Sequence, residues 1–213
     1  MNLEFNCAEK AFIYYYKLIN LVGKKYDNTK ALFNVGFYIL NPMDNIINNK
    51  TRKFNKDYAE FEWQWYLSGN NSAKEISKKA KIWLKCMDKN GNVNSNYGYQ
   101  WNKGNQLDYI VNELKNNKYS RRASISIYDA KDRDNFKNDT PCTYAINFSI
   151  FNNELNMSVL MRSNDLWFGF CNDQYCFSKL QEFIANKLNI SIGTYYHFTN
   201  NLHIYNNFLN KQI

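Results

Sequence analysis

The chain has 213 residues, 27 basic against 19 acidic side chains and a net charge of +8. With 45% hydrophobic residues it is not a disordered chain, and it is long enough to bury a sizeable core. No stretch approaches the ~20 apolar residues of a membrane helix, and Glu4 and Glu9 stand where a signal peptide would be basic, so a cytoplasmic protein is expected.

Apolar side chains at helical spacing predict a helix over residues 9–22, closed by Gly23. Residues 31–40 read as a strand stopped by Asn41-Pro42, and residues 54–67 as a buried helix ending at Ser68-Gly69. A further helix is predicted over 72–87, with Ile76, Ala80, Trp83, Leu84 and Met87 on one side. Residues 89–100 are a Gly- and Asn-rich loop, 107–114 a short helix, 123–128 a strand and 129–140 a polar loop closed by Pro141. Residues 144–150 and 154–161 form a hairpin around Asn152-Asn153. The last elements are a helix over 177–188 and two strands, 190–198 and 202–205. No linker or repeat divides the chain, so the reading is a single α+β domain over 1–213.

Aromatics reach 17%, and roughly one residue in six is Asn, well outside average usage. The basic charge fits an anionic partner, but the lysines are scattered. Several solvated faces or a small phosphorylated ligand explain that better than a nucleic-acid groove, so no direct nucleic-acid or membrane binding is expected. Five cysteines without a CxxC pair, and only two histidines, suggest neither a disulfide framework nor a metal site.

Thr140-Pro141-Cys142 lies where a loop enters a strand, a place that can hold a thiol at the floor of a pocket. Arg121-Arg122 opens one strand and Arg162 closes another, and guanidinium is suited to planar, bidentate phosphate recognition. Cations near Cys142 would favour its thiolate.

Together these segments resemble the thymidylate synthase family, which includes the bacteriophage deoxycytidylate hydroxymethylases. The matching words run in family order: Glu62-Trp63-Gln64-Trp65-Tyr66-Leu67-Ser68-Gly69, Ile82-Trp83, Tyr97-Gly98-Tyr99-Gln100-Trp101 and Ser120-Arg121-Arg122. Pro141-Cys142, Arg162-Ser163-Asn164-Asp165, Gly169 with Asp173, and His203-Ile204-Tyr205 complete the series. The resemblance implies a large mixed sheet flanked by helices and a homodimer packed sheet to sheet. It implies that Cys142 attacks C6 of a pyrimidine nucleotide and that C5 takes a one-carbon unit from methylenetetrahydrofolate, with no metal. By the same resemblance Glu62 is the general acid/base and Tyr97 helps remove the C5 proton. Arg162 and Ser163 would hold the phosphate, joined by Arg121 and Arg122 of a second subunit. His203 and Tyr205 would hold the sugar hydroxyl, while Ile82, Trp83, Asp165, Phe168 and Gly169 face the folate.

Departures from the methylase pattern bear on the substrate. Uracil-using members carry Asn at the base edge, where this chain has Asp173, one residue after Asn172. Cytosine offers an N3 acceptor and an N4 donor, the reverse of uracil, and a carboxyl sharing its proton fits that edge. A one-residue slip would return Asn172 and uracil. Asn164, in a word resembling the hydroxymethylases, would hold a water that adds where methylases deliver hydride. Met161 replaces a Gln common in the family. In the N-terminal loop Lys24, Lys25 and Lys30 are present without an Arg, leaving one phosphate role unassigned. The methylase tail that closes over folate is not found after Tyr205, which is tolerable if water is a reactant. Ser163 resembles deoxynucleotide users. The expected activity is therefore 5-hydroxymethylation of dCMP, in the host cytoplasm if the source is a virus modifying its DNA. The alternatives are a methylase or hydroxymethylase acting on dUMP, or a nucleotide-binding homologue without folate chemistry.

Overall fold

The structure is a computed structural model that describes residues 3–136 and 138–213. In chain order the elements are β1 (Leu3–Phe5), α1 (Ala8–Val22), β2 (Lys24–Tyr26), β3 (Thr29–Ile39), α2 (Lys56–Leu67), α3 (Ile76–Lys79) and α4 (Trp83–Cys86). They continue with α5 (Tyr97–Asn102), α6 (Gln106–Asn116), β4 (Ser124–Ser126), β5 (Thr143–Phe151), β6 (Glu154–Met161), β7 (Asn164–Asp165), α7 (Gly169–Leu188) and β8 (Ser191–Tyr205). The strands form one mixed eight-stranded sheet in the order β1-β3-β8-β6-β5-β4, with β2 on β3 and β7 on β8. β6 and β8 run parallel, while β3–β8 and β5–β6 are antiparallel. The α+β class is as expected.

One sheet face carries the core. Val35, Phe37 and Ile39 of β3 lie opposite Thr199, His197 and Tyr195 of β8, all buried. Phe37 meets Tyr15 of α1 at 4.7 Å and Phe170 of α7 at 5.8 Å between ring centroids. Each fully buried ring of this kind contributes about 2–3 kcal/mol. His197 sits against Phe37 and Phe170 with Nδ1 at 2.9 Å from the Tyr195 hydroxyl, and burial pushes its pKa down to about 3, so it packs as a neutral ring. On the other face Tyr38, Tyr196, Phe198 and Leu160 remain half-exposed.

The Asn excess has a local use. Six of the eight non-glycine residues with positive φ among the described residues are Asn: 34, 105, 152, 153, 189 and 210. Asn tolerates the left-handed region that is otherwise left to Gly, which is scarce here. Asn152 and Asn153 make the tight turn of the β5–β6 hairpin, and Asn189 ends α7. Asn55 and Asn96 cap α2 and α5 by accepting from Tyr58 N and Tyr99 N.

Several boundaries differ from the sequence expectation. The helix expected over 72–87 is two single turns, broken at the extended Ala80. Only Ile76 is buried along α3 and no residue along α4, so no continuous apolar stripe supports a longer helix. The expected 89–100 loop ends early, because α5 begins at Tyr97. The polar 129–140 loop holds a 3-10 stretch, Ala130–Phe136, and the expected strand 123–128 is ordered as a ladder only over Ser124–Ser126. α7 begins at Gly169, eight residues ahead of the expected start, with Gln174 buried and its Nε2 donating to Asn45 O at 2.7 Å. The two expected C-terminal strands are one, β8. The β3–β8 ladder skips Asn34 and Asn200 but keeps its register on either side, Phe33 opposite Asn201 and Val35 opposite Thr199, and Asn200 Nδ2 donates to the Asn34 side chain across the gap at 3.1 Å.

Candidate active site

β5, β6, β7, β8, α2 and α7 converge on a cavity of about 880 Å³. Cys142 lies just before β5 and is partly buried at its wall. Arg162, at the end of β6, fixes it. The Arg162 amide donates to Cys142 O at 2.8 Å, its Nε to Pro141 O at 3.0 Å and its Nη2 to Thr140 O at 2.7 Å. Nη2 also reaches Cys142 Sγ at 3.7 Å. Burial pushes the Cys142 thiol up to about 11, with the Arg162 charge pulling it down. The arginine therefore offsets desolvation but does not overcome it, and the thiolate expected from nearby cations is not the resting form.

Beneath the cavity lie two carboxyls. Asp173, on the first turns of α7, opens to the cavity yet sits deep in the protein; desolvation first, then the Glu62 charge, raise its pKa well above the usual carboxylate range. Asn164 of β7 donates through Nδ2 to Asp173 Oδ2 at 2.7 Å, and its own Oδ1 is buried without a partner. The amide expected to hold water is thus engaged with the carboxyl. A Cβ on Gly169 would come within 3.1 Å of that Nδ2 and 3.4 Å of Asp173 Oδ2, so Gly169 leaves this pair its room. Glu62, in the middle of α2, is 5% exposed, and burial pushes its pKa up to about 7 against donation from Tyr58 and Tyr66. Tyr97 is buried on α5, stacked on Phe177 of α7. Gly98 permits this, since a Cβ there would lie 2.0 Å from Tyr66 O on α2.

At the other end β7 pairs with β8, setting Asp165 opposite His203. Asp165 accepts from the Trp167 and Phe168 amides at 3.0 and 3.1 Å. Burial lowers the pKa of His203 and raises that of Asp165. Ser163, His203 and Tyr205 share the cavity wall, and Ile82 and Phe168 are large apolar side chains left exposed beside it.

The thymidylate synthase family profile matches residues 30–212. The chain belongs to the thymidylate synthase family. It is 29% identical over 215 aligned residues to the thymidylate synthase of Wigglesworthia glossinidia brevipalpis, covering 92% of this chain and 80% of that one. The match to the thymidylate synthase of Buchnera aphidicola is 30% identical over 156 residues, 69% of this chain. It spans only 59% of the Buchnera protein's length. The structure of thermostable thymidylate synthase A from Bacillus subtilis superposes with a TM-score of 0.78 at 22% identity, over 93% of this chain and 80% of that one.

Of the residues that resemble the thymidylate synthase family's site, Cys142, Arg162, Ser163, Asn164, Asp165, Phe168, Gly169, Asp173, His203, Tyr205 and Ile82 meet in one cavity. Glu62 and Tyr97 lie behind it, and Trp83 joins through Tyr58, which lines the cavity and accepts its indole N–H at 2.9 Å. Arg121 and Arg122 stand apart, exposed just before β4 at the sheet edge. Lys24, Lys25 and Lys30 do not approach the cavity: the first two are exposed on β2, and Lys30 Nζ donates to Asn20 O at 2.9 Å. Arg52 does approach it. It is 7% exposed, its guanidinium lies 5.1 Å from the Phe168 ring centroid, and its Nε donates to Trp167 O. Sequence reasoning passed over Arg52 and Tyr58. Tyr58 was findable, because a Tyr four residues ahead of a Glu on one helix puts hydroxyl and carboxyl on one face.

Proposed function

We propose that this chain transfers a one-carbon unit to C5 of dCMP and adds water there, giving 5-hydroxymethyl-dCMP. The observation that carries this reading is Asp173: a carboxyl with a raised pKa, held by Asn164, open to the cavity that Cys142 shares. A neutral carboxyl donates through one oxygen and accepts through the other, as the N3 and N4 edge of cytosine requires. Cys142 Sγ bonds to C6, which makes C5 nucleophilic; its thiol proton leaves as the bond forms. Tyr97 assists loss of the C5 proton, and Glu62 is the general acid/base. Arg162 and Ser163 hold the phosphate, and His203 and Tyr205 the sugar hydroxyl.

The apolar Ile82 and Phe168, sharing the cavity lining with the carboxyl of Asp165, fit a flat ring bearing hydrogen-bond donors. Together with Trp83 and Gly169 they would hold methylenetetrahydrofolate, which when bound supplies the one-carbon unit. A second reading is methylation of dUMP. The relatives named thymidylate synthase favour it, and Asn172 also lines the cavity. Release of tritium from C5, measured separately with dCMP and dUMP, separates the two. Release from dCMP is expected; release from dUMP alone would overturn the cytosine reading, and a product heavier by CH₂ would then establish the second.

The active unit in this proposal is a homodimer. The half-exposed Tyr38, Tyr196, Phe198 and Leu160 would supply an apolar sheet face for it, and Arg121 and Arg122, exposed outside their own chain's cavity, would serve the partner's. Cys142→Ser and Arg122→Ala subunits, each inactive, are expected to regain partial activity when mixed and exchanged. One site of each mixed dimer then carries neither defect. No recovery despite verified exchange would reject the shared site.

A further inference from the structure

Glu62 is held unevenly. Both Tyr58 and Tyr66 direct their hydroxyls to the same oxygen, Oε1, each at 3.2 Å, while Oε2 is buried without a partner. The direction of the Tyr58 bond is fixed from further out. Trp83 Nε1 lies 2.9 Å from the Tyr58 hydroxyl, and an indole N–H can only donate. The Tyr58 oxygen therefore accepts from Trp83, and its single hydrogen is left to point at Glu62. An oxygen that accepts two hydroxyl hydrogens has no place for a proton of its own. Whatever proton Glu62 carries sits on Oε2.

We infer that Tyr58 is a positioning residue for the general acid/base: with Tyr66 it reserves Oε1 as acceptor and leaves Oε2 as the oxygen that gives and takes the proton, while Trp83 sets the direction of the chain. This inference rests on the reading of Glu62 as the acid/base. It makes the folate-facing indole and the proton-carrying carboxyl two ends of one hydrogen-bonded series, Trp83 to Tyr58 to Glu62. The other titratable groups around Glu62 and Tyr66 are Asp173 and Cys176 on α7 and Tyr97 on α5, and Tyr58→Phe alters none of them.

The test compares Tyr58→Phe, Trp83→Phe and Glu62→Gln by C5 tritium release across pH, with whichever of dCMP and dUMP the protein turns over. Donation from Tyr58 favours the ionised carboxyl, so its loss raises the Glu62 pKa. Tyr58→Phe is expected to lower kcat about tenfold, with nucleotide KM little changed. The pH limb assigned to Glu62 should move up by about one unit, the equivalent of one hydrogen bond. Trp83→Phe, which frees the hydroxyl to turn away, should move the limb the same way by less. A lower kcat with an unmoved limb in Tyr58→Phe would mean a merely structural role and overturn the inference. If Tyr58→Phe fails to fold, an unmoved limb in Trp83→Phe overturns it. Near-normal turnover by Glu62→Gln is a different failure: it would remove the acid/base role itself.

Discussion

Cys142→Ser should lose turnover by on the order of 10⁴-fold or more while still binding nucleotide. The attack on C6 needs a sulfur nucleophile, and a serine hydroxyl in the same place has no base strong enough to ionise it. Binding should survive because the residues proposed to hold phosphate and sugar, Ser163, His203 and Tyr205, do not depend on the thiol. Arg162 holds the Thr140 and Pro141 carbonyls whatever side chain follows them. Of the other cysteines, Cys7, Cys171 and Cys176 are buried and Cys86 is half-buried and does not line the cavity, so their replacement should spare the chemical step. Tritium release from C5 and calorimetric titration of nucleotide read the two properties independently. Near-normal turnover by Cys142→Ser would end its assignment as nucleophile.

Asp173→Asn should reverse the preference between pyrimidines. A carboxyl can accept from cytosine N4 and share its proton with N3, whereas an amide offers a fixed carbonyl acceptor and NH2 donor, as uracil's N3–H and O4 require; a mismatched edge leaves buried polar groups unpaired. The ratio of kcat/KM for dCMP over dUMP should fall by on the order of 10³. Asn164 makes the substitution conservative in shape: its Nδ2 now donates to Asp173 Oδ2 and would donate equally to an amide oxygen. An unchanged ratio would mean that Asp173 does not face the base and that Asn172, its neighbour on α7, does.

The parts of the site that were legible in the sequence are those whose chemistry is carried by spacing along one segment. Arg162 to Asp165 and Gly169 to Asp173, read from sequence as one group, meet in one cavity because β7 and the start of α7 follow each other closely along the chain. Their secondary structure was not legible. The first turns of α7 are built of Gly169, Asn172, Asp173 and Gln174, polar or flexible residues that argue against a helix, and tertiary contacts such as Gln174 to Asn45 hold them there. The region 72–87 failed the other way. Its apolar spacing promised a long helix, but Leu84 is exposed, Ala80 lines the cavity, and the chain breaks at the extended Ala80.

What composition hid was pairing across elements. Tyr58 to Trp83 joins α2 to α4, and Arg52 to Trp167 joins the approach to α2 with the approach to α7. Neither pair has a signature in sequence separation. The electrostatics needed the fold: burial raises Glu62, and it opposes the thiolate that the arginine beside Cys142 suggested.

The central claim is that water, not hydride, completes the reaction on a cytosine nucleotide. Mass spectrometry of dCMP incubated with the protein, tetrahydrofolate and formaldehyde tests it most directly. The expected product is dCMP heavier by CH₂O, with tritium lost from C5. A product heavier by CH₂, or no product from dCMP alongside a methylated one from dUMP, would contradict it.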